Sequence, residues 1–513
     1  MSKNSQLKAG AILSYINLAI STLIPLCYTP IMLRLLGQAE YGLYSLSNSV
    51  ISYLSLLTFG LGSTIQRYYM QAITAGDKKR LEEVVGLFTI LYAIIAFVTL
   101  IGGALTTLCT GTLFAEGLSV QENDKLNVLI RIMSVSAAVS LLAVPFVSIV
   151  VSYERYIFQR TVTIVSTVAV PILNLIVLYA GYASAGMALV GVGIQVVTLV
   201  IDVWYSCRFL GIWPKFLNLP FNLLREVFAF TAYVFIAMIA DILYWSTDKV
   251  LIGALVGSTA VAVYNVGVTF QAMLQQLSSA ISGVFGPRVN HLVFSGAPIS
   301  QISELMIRVG RVQYLIVSLA MSGFITFGRA FLHLWVGAGY EEAYDIALLT
   351  MIPAIIPLIQ NIAFNTIVAQ NRHQFRSVLY VVLAIANAAS TYLLIPVMGI
   401  IGAAFCTFVV FLIGHGLIIN WFYKKHVGLD IIGFWKNIGY MTIVPAVMVC
   451  AGIWVQNNGI TFTTLKTFAV GVLIYSGVFC VFSWFVSMNQ YEKDLIRLMA
   501  QRLFSWLRLT RVK

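Results

Sequence analysis

Apolar stretches of about twenty residues follow one another along almost the whole chain. Each is long enough to cross the roughly 30 Å hydrocarbon core of a bilayer as a helix. Lipid tails offer backbone N–H and C=O groups no partner, so such stretches fold into helices that bond internally. Charged residues and Gly/Pro breaks divide the sequence into 14 expected spans: 11–33, 42–66, 84–110, 126–151, 161–181, 186–207, 227–252, 258–283, 311–334, 346–369, 378–397, 400–423, 438–456 and 466–488. Only 10% of the 513 residues are charged, against about 25% in a soluble protein. The expected fold is an all-α polytopic membrane protein without a soluble domain. The first run is read as a retained span, because it is too long for a signal-peptide core and a second span follows at once.

The spans carry an internal echo. Leu35-Leu36-Gly37-Gln38-Ala39-Glu40-Tyr41-Gly42-Leu43-Tyr44 returns 220 positions later as Leu255-Val256-Gly257-Ser258-Thr259-Ala260-Val261-Ala262-Val263-Tyr264. Ala185-Gly186-Met187-Ala188 and Ile401-Gly402-Ala403-Ala404 repeat at an offset of 216, again between corresponding spans. Spans one to six and seven to twelve therefore read as two parallel-repeat six-helix bundles, the frame of an alternating-access transporter. The expected division is an N-terminal bundle over 1–207, a cytoplasmic linker over 208–225, a C-terminal bundle over 226–423, two additional spans within 424–488, and a basic amphipathic tail over 489–513 held by anionic lipids.

Net charge is +12, but its placement argues against nucleic acid. Alternate loops and the two ends hold 25 of the 31 Lys and Arg, which orients both termini toward the cytoplasm. The 6 cysteines lie in or at the ends of apolar spans without a CxxC pair, so neither a disulfide framework nor a zinc site is expected. No GxxxxGK[ST] loop, HExxH or nucleophile elbow occurs. The chain is read as a non-enzyme without a cofactor or metal.

Several stretches resemble bacterial polysaccharide-biosynthesis flippases: Tyr28-Thr29-Pro30-Ile31-Met32-Leu33-Arg34-Leu35-Leu36-Gly37, Glu40-Tyr41-Gly42-Leu43-Tyr44, Phe59-Gly60-Leu61-Gly62 with Arg67-Tyr68, and Asp248-Lys249-Val250-Leu251-Ile252-Gly253. These belong to the multidrug/oligosaccharidyl-lipid/polysaccharide exporter superfamily, with the MATE drug transporters and the lipid II flippases. The resemblance implies export of polyprenyl-diphosphate-linked oligosaccharides from the inner to the outer leaflet of a bacterial cytoplasmic membrane. It also implies a coupling H+ or Na+, surrounding membrane lipids, and a polysaccharide polymerase and glycosyltransferases as partners. A MATE-type multidrug/cation antiporter and a membrane polymerase or acyltransferase are the alternatives.

Charged residues inside spans are costly and mark candidate sites. Span seven holds Asp241, Tyr244, Trp245, Asp248 and Lys249, with positions 241, 244/245 and 248 on one face by helical spacing. Asp241 and Asp248 are the candidate ion-coupling acids, Tyr244 and Trp245 candidate sugar-stacking rings, and Lys249 a cation for phosphate. The competing reading is an internal Asp248–Lys249 or Asp241–Arg pair that joins helices. Arg34, Arg67 and Arg288 suit a diphosphate headgroup, against the competing readings of an outer-headgroup anchor for Arg34 and ordinary positive-inside placement for Arg67 and Arg288. Gln271 is a candidate for sugar hydroxyls. The simplest reading of Asp202 is a pair with Arg208.

Overall fold

The computed structural model describes residues 3–498 apart from 218, 221, 284, 371, 373 and 460–461, together with residue 501; for helical residues 3–12, 15, 63, 225, 228–230, 232–233 and 237 it describes the backbone alone. Most of the tail expected over 489–513, from 499 onward except residue 501, lies outside the described residues.

Every regular element among the described residues is helical. The first half runs α1 (Lys3–Leu36), α2 (Gln38–Leu54), α3 (Leu61–Thr74), α4 (Lys78–Leu113), α5 (Val120–Ser152), α6 (Tyr156–Tyr179) and α7 (Ala183–Trp204). There follow α8 (Asn222–Leu255), α9 (Ser258–Gly283), α10 (Gly286–Phe294), α11 (Ile299–Trp335), α12 (Glu342–Ile359), α13 (Asn361–Ala369) and α14 (Gln374–Phe411). After α14 come α15 (Asn420–Phe422) between two π-helical turns, then α16 (Ile431–Met441), α17 (Ile443–Asn457) and α18 (Leu465–Phe482). Ten helical stretches are long and apolar enough to cross a membrane. One of them, Gln374–Val427, is interrupted at Gly399, where φ is 62°, so it makes two passages. The α2–α3 pair, α8 and α9 occupy the remaining expected spans. The chain is thus an all-α, multi-pass membrane protein.

Three spans expected as single helices are broken. Span 42–66 ends in a 3-10 turn at Ser55–Thr58, and Phe59 and Gly60 then adopt left-handed φ of 48° and 71° before α3 begins. The cause is close packing. A Cβ on Gly60 would fall 2.6 Å from Val234 Cγ1 on α8, while the Phe59 ring rests on Phe235 at 4.8 Å. Span 346–369 breaks at Gln360 and span 438–456 is joined at Thr442 to the preceding α16.

Packing divides the chain into two compact units, Met1–Val266 with Gln374–Cys406 and Gly267–His373 with Thr407–Lys513. In the first, α4 packs on α5, α5 on α7, α1 on α6 and α2 on α8. Its core includes Leu61, Ile65, Tyr69, Phe88, Tyr92 and Ile149. The stretch expected as a linker is anchored here: Lys215 Nζ lies 2.5 Å from the buried Glu82 carboxylate, and its N–H donates to the Glu82 carbonyl at 3.0 Å.

In the second unit α11 packs on α12, α16, α17 and α18. Phe327, Val444, Met448, Tyr475 and Phe479 form its apolar core. Beside it Arg311 of α11 is buried. Its guanidinium donates to Glu492 Oε1 at 2.6 Å and Oε2 at 3.0 Å, to Asn437 Oδ1 at 3.1 Å and to the Ser487 carbonyl at 2.8 Å. This fork fastens the helical residues 490–498 to α11. Removing one partner strands the other as an uncompensated buried charge. Glu492→Ala is therefore expected to cost about 3–5 kcal/mol, and Glu492→Ala with Arg311→Met clearly less. Unfolding midpoints of the purified protein check this, and equal losses in the two variants would refute it.

Candidate functional site

A buried stripe runs along α8 at four-residue spacing through Ala240, Tyr244, Asp248 and Ile252. Asp248 is only 3% exposed, and three groups from two other helices satisfy it. The Tyr264 hydroxyl of α9 donates to Oδ2 at 2.7 Å. From α14 the Asn387 amide donates to Oδ1 at 3.1 Å and the Thr391 hydroxyl at 3.3 Å. Asn387 and Thr391 are one helical turn apart, which is why both reach the same oxygen. The three donors are neutral, and the charge that acts on the carboxylate is that of the adjacent Lys249. Such a carboxylate can take a proton or a small cation at the expense of those bonds.

Asp241 and Trp245 flank the stripe and are exposed. Arg376, from the start of α14, is the charge acting on Asp241. Its guanidinium donates to the Tyr380 hydroxyl at 2.8 Å and lies 4.6 Å from that ring's centre. Trp245 sits edge-on to Tyr244, ring centres 5.3 Å apart. Thus α8 carries two acids in opposite settings, Asp248 sealed and Asp241 open. Lys249 is half-buried beside Asp248.

The other sequence candidates are dispersed. Arg34 is exposed in the last turn of α1. Arg67 is exposed on α3 next to Tyr68, whose hydroxyl donates to Glu226 at 3.4 Å. Arg288, exposed on α10, and Gln271, buried on α9, belong to the second unit. No ion pair among the described residues joins Asp202 to Arg208; Asp202 is buried and Arg208 exposed. Sequence reasoning missed Tyr264, Thr391, Arg376 and Tyr380 as members of the group. The available signal was the Asn387/Thr391 spacing and the Arg376 that echoes Arg160 at the repeat offset.

A many-passage helical bundle with carboxylates inside its spans defines an integral-membrane protein. Residues 7–293 match the family described as polysaccharide biosynthesis protein, and the chain belongs to that family. No curated protein matches it in sequence. Among solved structures it is similar to the lipid II flippase MurJ in an inward closed conformation, with a TM-score of 0.66 and 14% identity, covering 95% of this chain and 99% of that one. It is also similar to an inward-facing multidrug resistance MATE family transporter of the MOP superfamily, at 0.63 and 13%, covering 85% and 99%. A mutant of the Vibrio cholerae MATE transporter VcmN follows at 0.57 and 14%, covering 84% and 99%. At these identities the likeness is one of fold.

The opposite settings of the two acids separate their substitutions. Asp248→Asn turns an amide toward groups that donate, and should cost about 1.5–3 kcal/mol, the worth of hydrogen bonds to a charge. Asp241→Asn, at an exposed position, should stay within about 0.5 kcal/mol of the parent. Thermal midpoints in detergent decide this, and equal losses at both positions would contradict the assignment.

Proposed function

We propose that the protein flips a polyprenyl-diphosphate-linked oligosaccharide repeat unit from the inner to the outer leaflet of a bacterial cytoplasmic membrane, for export of cell-surface polysaccharide. The observation that carries this reading is membership of a polysaccharide-biosynthesis family by a chain with a multi-pass transporter fold. In this reading both termini are cytoplasmic, in keeping with the cations of alternate loops. The protein does no bond chemistry of its own.

The residues take the following roles. Arg34, Arg67, Lys249 and Arg288 are each, separately, candidates to bond the diphosphate through charge-assisted hydrogen bonds. Trp245, 41% exposed and backed edge-on by the buried Tyr244, stacks against sugar faces, and Gln271 bonds hydroxyls. The two repeats, 1–207 and 226–423, alternate in access while the polyprenyl tail stays in the bilayer. An acid of α8 couples the cycle to H+ or Na+: Asp241, which is exposed beside Arg376, or Asp248, whose donors a cation can replace. Cation antiport remains the second reading, favoured by the fold likeness to MATE transporters. The four candidate cations argue against a cationic cargo.

Deletion in a polysaccharide-producing host should trap lipid-linked repeat units on the inner leaflet and abolish the surface polymer. Normal surface polymer, in a strain with no second transporter, would sink the reading. On complementation, Asp241→Asn should abolish surface polymer at unchanged protein level. Full restoration by that variant would remove Asp241 from the coupling step.

A further inference from the structure

Apart from the α8 acids, the first unit carries an apolar groove of about 510 Å³. Thr89 of α4, Leu142 and Phe146 of α5, and Val200, Val203 and Trp204 of α7 line it. Both α4 and α7 pack on α5, which forms the floor between them. Val200 is 60% and Trp204 58% exposed, so the groove opens at the helix surface. The Thr89 hydroxyl donates to the Val85 carbonyl of its own helix at 2.8 Å, so the lining makes no polar demand on an occupant. An apolar recess that opens on a bilayer fills with hydrocarbon, because water avoids it and a void forfeits contacts.

One end of the groove is charged. Lys78 and Glu82 stand about three and two turns before Thr89, on the same face of α4. Beyond Trp204, Arg208 is exposed in the π-helical turn Tyr205–Phe209. The stretch that follows returns to α4: a Cβ on Gly211 would lie 3.8 Å from Lys78 Nζ, and Lys215 Nζ lies 2.5 Å from Glu82 Oε2. Lys78 keeps a 4.0 Å approach to the same carboxylate. The two lysines thus divide one buried acid, while no ion pair among the described residues includes Arg208. Asp77 is engaged at the cap of α4, accepting from the Arg80 N–H at 2.9 Å. Trp213, 60% exposed, joins Trp204 at this end, where indoles favour the membrane–water interface.

We propose that the groove holds a resident anionic phospholipid of the cytoplasmic leaflet. One acyl chain lies against Phe146, Val200 and Val203, and the phosphate meets Arg208 and Lys78. The chain answers the apolar lining, and the headgroup answers cations that outnumber their acid. From Lys78 to Thr89 is about 16 Å along α4, close to half of the roughly 30 Å hydrocarbon core. The lining therefore serves one leaflet. A carried lipid must leave its leaflet, whereas a resident one suits a groove that ends at mid-depth. Seated there, the lipid braces α7 against α4. The inference shares with the proposed function the orientation of the termini and nothing of the cargo.

Quenching of Trp204 by brominated acyl chains tests the site in the full chain, reconstituted in phosphatidylcholine nanodiscs without cargo. Subtracting the signal of Trp204→Phe isolates this indole among the 9 tryptophans. Brominated phosphatidylglycerol should quench that share saturably, half-maximally at about fivefold lower mole fraction than brominated phosphatidylcholine, as one cation near a charged headgroup provides. Arg208→Gln with Lys78→Gln should erase the preference and leave quenching by phosphatidylcholine as in the parent. Size-exclusion profiles check folding; if the pair does not fold, Arg208→Gln alone decides. The proposal is overturned if the two lipids quench alike in the parent, if the folded variant keeps the preference, or if Trp204 is not quenched. Displacement of the brominated lipid by an equal amount of a polyprenyl phosphate would also overturn it, assigning the groove to the tail of a carried lipid. None of these readouts involves export, so the cargo stands or falls separately.

Discussion

Hydrocarbon gives a buried carboxylate nothing to bond to, so Asp248 must find its partners inside the protein. Those partners determine how α8, α9 and the first part of α14 stand. Tyr264 lies 16 residues further along the chain, but Asn387 and Thr391 come from 139 and 143 residues away. A slip of α14 by one turn, about 5.4 Å, would break both remote bonds at once. Such a bond set fixes register in a way that apolar packing, tolerant of sliding, does not. Arg311 and Glu492 follow the same logic in the second unit, where the demand of a buried charge determines where residues 490–498 sit.

The starts of α2, α5, α7 and α9 converge in the first unit. Gly42 on α2 meets the Ser258 carbonyl so closely that a side chain there has no room. Tyr41 accepts from the Asn265 amide at 2.6 Å. The two copies of the repeated phrase are therefore in direct contact. Around them Glu40 pairs with Lys125 and accepts from Ser184 at 2.5 Å, while Glu122 accepts from Ser258 at 2.5 Å and from the Ser119 N–H at 3.0 Å. Glycine permits the approach and the carboxylates stitch it.

Number and order of the helices were legible because hydropathy alone dictates them, as at 84–110 and 126–151, which appear as α4 and α5. The breaks were not. Phe59 and Gly60 stand in an apolar run, and their left-handed backbone answers to Val234 and Phe235, about 175 residues away. Asp248 was legible as a charge in a span, whereas its donors depend on tertiary pairing that no local spacing announces. The reading of Asp202 failed for a local reason. Arg208 lies in a π-helical turn, Tyr205–Phe209, that follows α7, and it faces outward where Asp202 faces in.

The cavities between the helices differ in what they offer water. The recess beside Asp202 mixes hydroxyls and amides with Ala143, Val144, Val147, Val162 and Ile194, whereas a cavity of about 250 Å³ in the second unit is walled by Leu319, Phe324, Phe327, Phe331, Phe468 and Tyr475. Phe327 contacts Phe468 and Tyr475 edge-on, so the wall is rigid as well as apolar. Water enters a polar chamber and avoids an apolar one of similar size. The first unit also holds the apolar groove of about 510 Å³ lined by Leu142, Phe146, Leu199, Val200, Val203 and Trp204. Polar and apolar recesses therefore share the walls α5 and α7, which present Ser140, Gln195 and Asp202 to one and Leu142, Phe146 and Val200 to the other. Helices that are apolar throughout can thus still offer water on one face and exclude it on the next.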